Sequence, residues 1–256
     1  SSSPPHLFER TVTLSGDYDG DGISDIAIFR EEIGLWAVRG RTRVYFGIQG
    51  DRPVAGDYDG DGTTEIAVYR PDSGLWAILG CSRVYFGQSD DEAVPADYDG
   101  DGSADIGIFR SEVGLWVVRG HTRIYYGSSD DRPVPGDYDG DGTAEIVIFR
   151  ERTGLWSLRG MSRFYFGEDE DRAVPGDYEG VGYCRAGIFR PRSGLWAIRN
   201  TTRVYFGGST DAAVPADYDG DGVDDMGIFR DISGLWAAEN ITRVYFGAEG
   251  DIPVTR

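Results

Sequence analysis

Residues 51–87 read "DRPVAGDYDGDGTTEIAVYRPDSGLWAILGCSRVYFG", and the chain repeats this stretch, with variation, along almost its whole length. Trp recurs at Trp36, Trp76, Trp116, Trp156, Trp196 and Trp236, always within "GLW", at a constant spacing of 40 residues. The same period carries Arg30, Arg70, Arg110, Arg150, Arg190 and Arg230, and Asp51, Asp91, Asp131, Asp171, Asp211 and Asp251. A fixed period of this length marks a repeat architecture. No linker interrupts it, so residues 11–256 read as one domain, and residues 1–10, opening "SSSPPH", as a linker or expression remnant.

One copy contains four short strand signals. "RPVAGDY" leads into an acidic loop, "EIAVYR" leaves it, "GLWAIL" follows the turn "PDSG", and "SRVYFG" closes the unit. Each is rich in β-branched or aromatic residues and bounded by Gly, Pro, Asp or Ser; no helix is expected. The apolar residues of "DIAIFR" and "GLWAVR" are consecutive rather than alternating, which predicts burial on both faces. Small sheets buried on both sides and repeated six times fit the radial packing of a six-bladed β-propeller, an all-β fold. A linear solenoid would need distinct caps. Here the N-terminal "TVTLSG" and the C-terminal "DIPVTR" both occupy the register of a first strand, so either could complete a ring.

The 256 residues, 40% of them hydrophobic, suffice for a large core. A formal net charge of −19 excludes nucleic acid and anionic membrane surfaces as natural partners and predicts a cationic companion. No apolar run is long enough to insert in a membrane.

The acidic loop carries the most specific chemistry. In "DYDGDGISD" Asp17, Asp19, Asp21 and Asp25 fall at positions 1, 3, 5 and 9, with the carbonyl of Ile23 at position 7. The same positions hold Asp57, Asp59, Asp61, Thr63 and Glu65; Asp97, Asp99, Asp101, Ser103 and Asp105; Asp137, Asp139, Asp141, Thr143 and Glu145; and Asp217, Asp219, Asp221, Val223 and Asp225. Oxygen donors on alternate residues around a Gly-rich turn suit a hard cation, and several close carboxylates favour Ca²⁺ over Mg²⁺. Position 12 is apolar in each (Ile28, Val68, Ile108, Ile148, Ile228), where an EF-hand needs a bidentate Glu. About five calcium ions are therefore expected.

The fifth copy reads "DYEGVGYCR" (177–185): Val181 and Arg185 replace two carboxylates, so this loop is predicted metal-free, with Arg185 reaching back to Asp177 or Glu179 in place of the ion. Cys81 and Cys184 lie in the second and fifth copies, opposite one another in a six-membered ring, and should not pair.

The loop "DGDGISDIAIF", a "VYFG" strand and "PVPGDYDGDG" together resemble the FG-GAP repeat, also described as VCBS-like, of integrin α-chain propellers and many bacterial extracellular proteins. The resemblance spans nearly the whole chain. It implies a propeller with Ca²⁺ in the hairpin loop between the first two strands of a blade, and an extracellular or cell-surface setting. The chain has fewer blades than the integrin version, and its "GLW" and "TRVYFG" segments lie outside that pattern.

The reading that follows is a secreted or cell-surface, calcium-stabilised binding or scaffold module, expected to be a monomer, with an extracellular protein or glycan as ligand and a role such as adhesion. A multivalent lectin using the six Trp is one alternative; a calcium-dependent extracellular hydrolase or lyase is the other. The recurring Trp, Arg and Asp are expected to pack and to form salt bridges between blades rather than bind ligand. His6 and His121 belong to no recognisable catalytic arrangement, so no enzymatic activity is expected.

Overall fold

The computed structural model describes residues 16–254. Six four-stranded antiparallel sheets follow one another around a ring. In the second blade the strands are Arg52–Pro53, Ala67–Arg70, Leu75–Ile78 and Ser82–Tyr85, in that spatial order. Every other blade repeats this plan with strands of two to four residues. The turn after the second strand tightens into a single 3-10 turn in four blades, Pro71–Ser73 being one, so among the described residues helical geometry is present only at this minimal level. It ends on a glycine in the left-handed region. At Gly34 (φ 62°) an added Cβ would lie 2.3 Å from the carbonyl oxygen of Gly47, so side-chain volume is excluded there.

The two middle strands of each blade are buried on both faces, as their unbroken apolar runs require; Ala27, Phe29 and Trp36 have no exposed surface. Residues of neighbouring blades meet in shared cores. Trp36, Phe29 and Val38 pack with Val68, Leu75 and Ala77 of the second blade, and Val214, Phe229 and Trp236 of the sixth pack with Ile28 and Ala37 of the first. A Phe or Tyr ring sits 4.9–5.2 Å from each Trp ring, tilted by 45–49°, an arrangement that favours the aromatic quadrupoles.

The C-terminal segment closes the ring. Ile252–Pro253 pairs with Ala27–Arg30 as the innermost strand of the first blade, with Ile28 opposite Pro253 and Phe29 opposite Ile252. The competing N-terminal segment, residues 11–15, and the 1–10 remnant lie outside the described residues. A belt of backbone hydrogen bonds also runs from loop to loop. The amides of Thr64, Ala104, Ala144, Cys184 and Asp224 donate to the carbonyls of Asp17, Asp57, Asp97, Asp137 and Asp177, and Ser24 completes the circuit by donating to Asp217.

The periodic Arg and Asp form a bidentate clasp. Arg70 Nε and Nη2 donate to Asp51 Oδ1 and Oδ2 at 2.7 and 2.9 Å, and the pairs Arg110–Asp91, Arg150–Asp131, Arg190–Asp171, Arg230–Asp211 and Arg30–Asp251 repeat the geometry. Each clasp ties the connection entering a blade to that blade's second strand. It does not bridge two blades, as the sequence reading had it, because Asp51 immediately precedes the inner strand that Arg70 pairs beside. Cys81 and Cys184 form no disulfide.

Candidate functional site

Between the inner strand and the second strand the chain makes the acidic loop, and all of these loops lie at one end of the blades. At this end Ala27 faces Val38 and the turn at residues 39–41. The position-1 carboxylate organises the loop from inside. Asp57 is buried, and its Oδ1 and Oδ2 accept the amides of Gly60 and Gly62 at 2.7 and 2.9 Å. Asp17, Asp97, Asp137 and Asp217 do the same. Gly22 and its equivalents adopt φ near 90°, which brings the amide round to the carboxylate.

The remaining acids each spend one oxygen on the backbone. At position 5, Asp21, Asp61, Asp101, Asp141 and Asp221 accept the amides of Ile23, Thr63, Ser103, Thr143 and Val223 at 2.8–2.9 Å. At position 3, Asp19, Asp59, Asp99, Asp139 and Asp219 accept the amide of position 5 at 3.2–3.3 Å. At position 9, Asp25, Glu65, Asp105, Glu145 and Asp225 accept the amide of the tyrosine at position 2 at 2.7–3.0 Å. Carboxylate oxygens of Asp137, Asp139, Asp141 and Glu145 thereby come within 4.8 Å of one another, as do those of Asp17, Asp19 and Asp25, and of Asp57, Asp59 and Asp61. This donor set, all hard oxygen with its orientation held by amides from behind, fits a calcium-like ion.

The position-9 carboxyl carries the electrostatic cost of the cluster. Burial, and then the neighbouring carboxylates, push Glu145 and Asp225 up to about 7, against the opposing effect of the tyrosine amide. Glu65 and Asp105 are raised for the same reasons. At position 5, by contrast, the hydroxyls of Thr63, Ser103 and Thr143 hold Asp61, Asp101 and Asp141 below the ordinary range.

A carboxyl whose folded-state pKa is raised favours folding while protonated. Its contribution is therefore largest below about pH 4 and is lost as pH rises through about 7. In excess chelator the melting temperature should fall between pH 5 and pH 8, and the slope should flatten in a Glu145→Gln, Asp225→Asn double variant. Equal slopes in the two proteins would show that these carboxyls do not carry the cost.

In the fifth loop Arg185 Nε donates to Glu179 Oε2 at 2.6 Å, while Thr201 Oγ1 donates to Glu179 Oε1 at 2.9 Å. The guanidinium also lies over the Tyr183 ring. The first loop contains a cation that the sequence reading missed. Arg41, from the turn between the second and third strands, donates to Asp25 Oδ1 at 2.6 Å and to Asp21 Oδ2 at 3.1 Å and is ion-paired to Asp19. Its position in the repeat is unremarkable in sequence, occupied elsewhere by Cys81, His121, Met161, Thr201 and Ile241; only the fold brings it over the loop.

At the opposite end of the blades a second feature was missed. Tyr45, Tyr85, Tyr125, Tyr165, Tyr205 and Tyr245 end the outer strands and are 67–76% exposed. Arg43 and its equivalents, two residues earlier on the same strand face, are exposed as well. The six Trp, in contrast, are at most 2% exposed and donate their indole N–H to backbone carbonyls such as Phe46 O at 3.0–3.1 Å. They cannot stack on sugars, which removes the basis on which a lectin was considered.

An open cavity of about 390 Å³ is lined by small apolar residues such as Ala55, Val94, Pro95 and Pro135, together with the acidic Glu92, Asp97 and Asp137. Among the described residues no helix is long and apolar enough to cross a membrane.

No family model matches the chain, and no curated protein matches it. Among solved structures it is similar to one described as "Crystal structure of BBS1N in complex with ARL6DN, soaked with mercury", at 10% sequence identity and a TM-score of 0.56, covering 97% of this chain and 89% of that one. At such low identity the likeness is one of architecture, and it agrees with the ring of blades described above: the chain is a six-bladed β-propeller.

Proposed function

We propose that the chain is a calcium-stabilised, extracellular propeller of the FG-GAP type, acting as a binding module for another protein rather than as an enzyme. The observation that carries the binding role is the ring of six exposed tyrosines at the end of the blades away from the acidic loops, each with an exposed arginine two residues earlier on the same outer strand. Every other aromatic position shared by the six repeats is buried or half-buried. Tyr and Arg are the residues that most often supply binding energy at protein interfaces, because a rigid amphipathic ring and a planar guanidinium bury area at little entropic cost. A rigid closed ring holds them in place without rearrangement.

The calcium role is supported by the convergence of hard oxygen donors in the intact loops, and the extracellular setting by the resemblance in repeat sequence and by the availability of calcium outside cells. The test is binding of the intact chain to immobilised extracellular-matrix proteins and to a glycan array in millimolar calcium. Saturable binding to a protein is expected, weakened by about tenfold or more in a Tyr85→Ser, Tyr125→Ser, Tyr165→Ser variant of unchanged melting temperature. Binding that is confined to glycans, or protein binding indifferent to the three substitutions, would overturn the assignment.

A further inference from the structure

The turn between the second and third strands places one side chain over the acidic loop of its own blade. Four of the six equivalents make polar contacts there: Arg41 with Asp21 and Asp25, Cys81 Sγ with Asp59 Oδ2 at 3.6 Å, Thr201 with Glu179, and His121. His121 Nε2 lies 3.1 Å from Asp105 Oδ1 and 3.5 Å from Asp99 Oδ2. These are the two carboxylate oxygens that the backbone leaves over. Asp105 Oδ2 accepts the Tyr98 amide at 2.9 Å, and Asp99 Oδ1 accepts the Asp101 amide at 3.2 Å. All three donor atoms lie within 4.8 Å of one another.

We propose that the third blade holds a transition-metal ion of the zinc class on Asp99, Asp105 and His121, in preference to calcium. A tetrahedral ion with bonds of about 2.0–2.1 Å separates its ligand atoms by roughly 3.3 Å, and the two nitrogen-to-oxygen separations, 3.1 and 3.5 Å, fall on either side of that value. Imidazole nitrogen with two carboxylates is a borderline set that suits zinc, cobalt or nickel, whereas calcium takes oxygen alone. Three protein ligands leave one coordination position for solvent. Both carboxylates are oriented from behind by backbone amides, which removes part of the ordering cost of binding.

The blades therefore differ in what they bind while sharing one fold. The second blade has a thiol and the fourth a thioether in this register, while the third places an imidazole nitrogen beside two carboxylate oxygens. The proposal stands on the imidazole and does not require calcium in the other loops.

The experiment uses the full chain, stripped of metal with chelator and desalted, carrying Cys81→Ala to remove the thiol in this register. Cobalt(II) is titrated in millimolar calcium and followed by its visible d–d absorption, then displaced with zinc. One equivalent with tetrahedral-type bands is expected. His121→Ala should weaken it by at least about tenfold and abolish the bands, His121→Gln should do the same, and His6→Ala should leave both unchanged. No cobalt or zinc binding over calcium, or binding that survives both His121 substitutions, would overturn the proposal. A separate calcium titration of His121→Ala reports on the oxygen-only loops, so failure of the calcium reading would be seen independently.

Discussion

Excess chelator should lower the melting temperature of this protein more than any single substitution. An ion that binds the folded loop and not the unfolded chain stabilises the fold by about 2.7 kcal/mol at a hundredfold excess over its dissociation constant. For a chain of this size that corresponds to roughly 5–10 °C for each occupied site. With calcium as the sole divalent ion, five equivalents are expected, the fifth loop being occupied by Arg185 on Glu179. The first loop should be the weakest of the five, since calcium must displace Arg41 from Asp19, Asp21 and Asp25. Arg41→Ala should tighten that last phase of the titration. Loading would also reduce the formal charge from −19 to roughly −9 and relieve self-repulsion. A melting curve indifferent to chelator would remove the structural role of the metal, and a sixth equivalent of similar affinity would remove the role given to Arg185.

Deletion of residues 251–256 is the second large effect. It removes Asp251 from its clasp with Arg30, and it withdraws Ile252 and the buried Val254 from the core formed by Ala27, Phe29 and Trp36. Burying an aliphatic side chain of this size contributes about 1.5–3 kcal/mol, and the deletion also re-exposes the apolar surface these residues cover. With the clasp lost as well, the total is at least about 3 kcal/mol, a large fraction of the stability of many domains. The edge of Ala27–Arg30 would then be unpaired and open to strand addition from another molecule. A lowered and broadened thermal transition, with oligomers on size-exclusion chromatography, is the expected outcome. A monomer of unchanged melting temperature would show that closure does not depend on this strand.

The difference between what was legible in the sequence and what was not follows from the range of the interactions. The period of 40, the four strand signals and the unbroken apolar runs are local features, and each is the direct imprint of a strand squeezed between two other sheets. The loop register from Asp17 to Asp25 was equally legible, because its donors are close in sequence and organised by amides within the same nine residues. The period itself made the ring of clasps discoverable, but not that Arg70 and Asp51 belong to one blade.

Tertiary structure alone decided which terminus closes the ring, since "TVTLSG" and "DIPVTR" carry the same strand pattern and only pairing with Ala27–Arg30 distinguishes them. It also placed Tyr45 in solvent at the end of an outer strand, whereas the burial of Trp36 was already legible in its unbroken apolar run. The turn residues Arg41 and His121 acquire their partners in the same way. They stand some 16 to 22 positions from the carboxylates they meet, and the hairpin that folds them back over the loop is specified by pairing across strands, a relation that no residue in the turn encodes by itself.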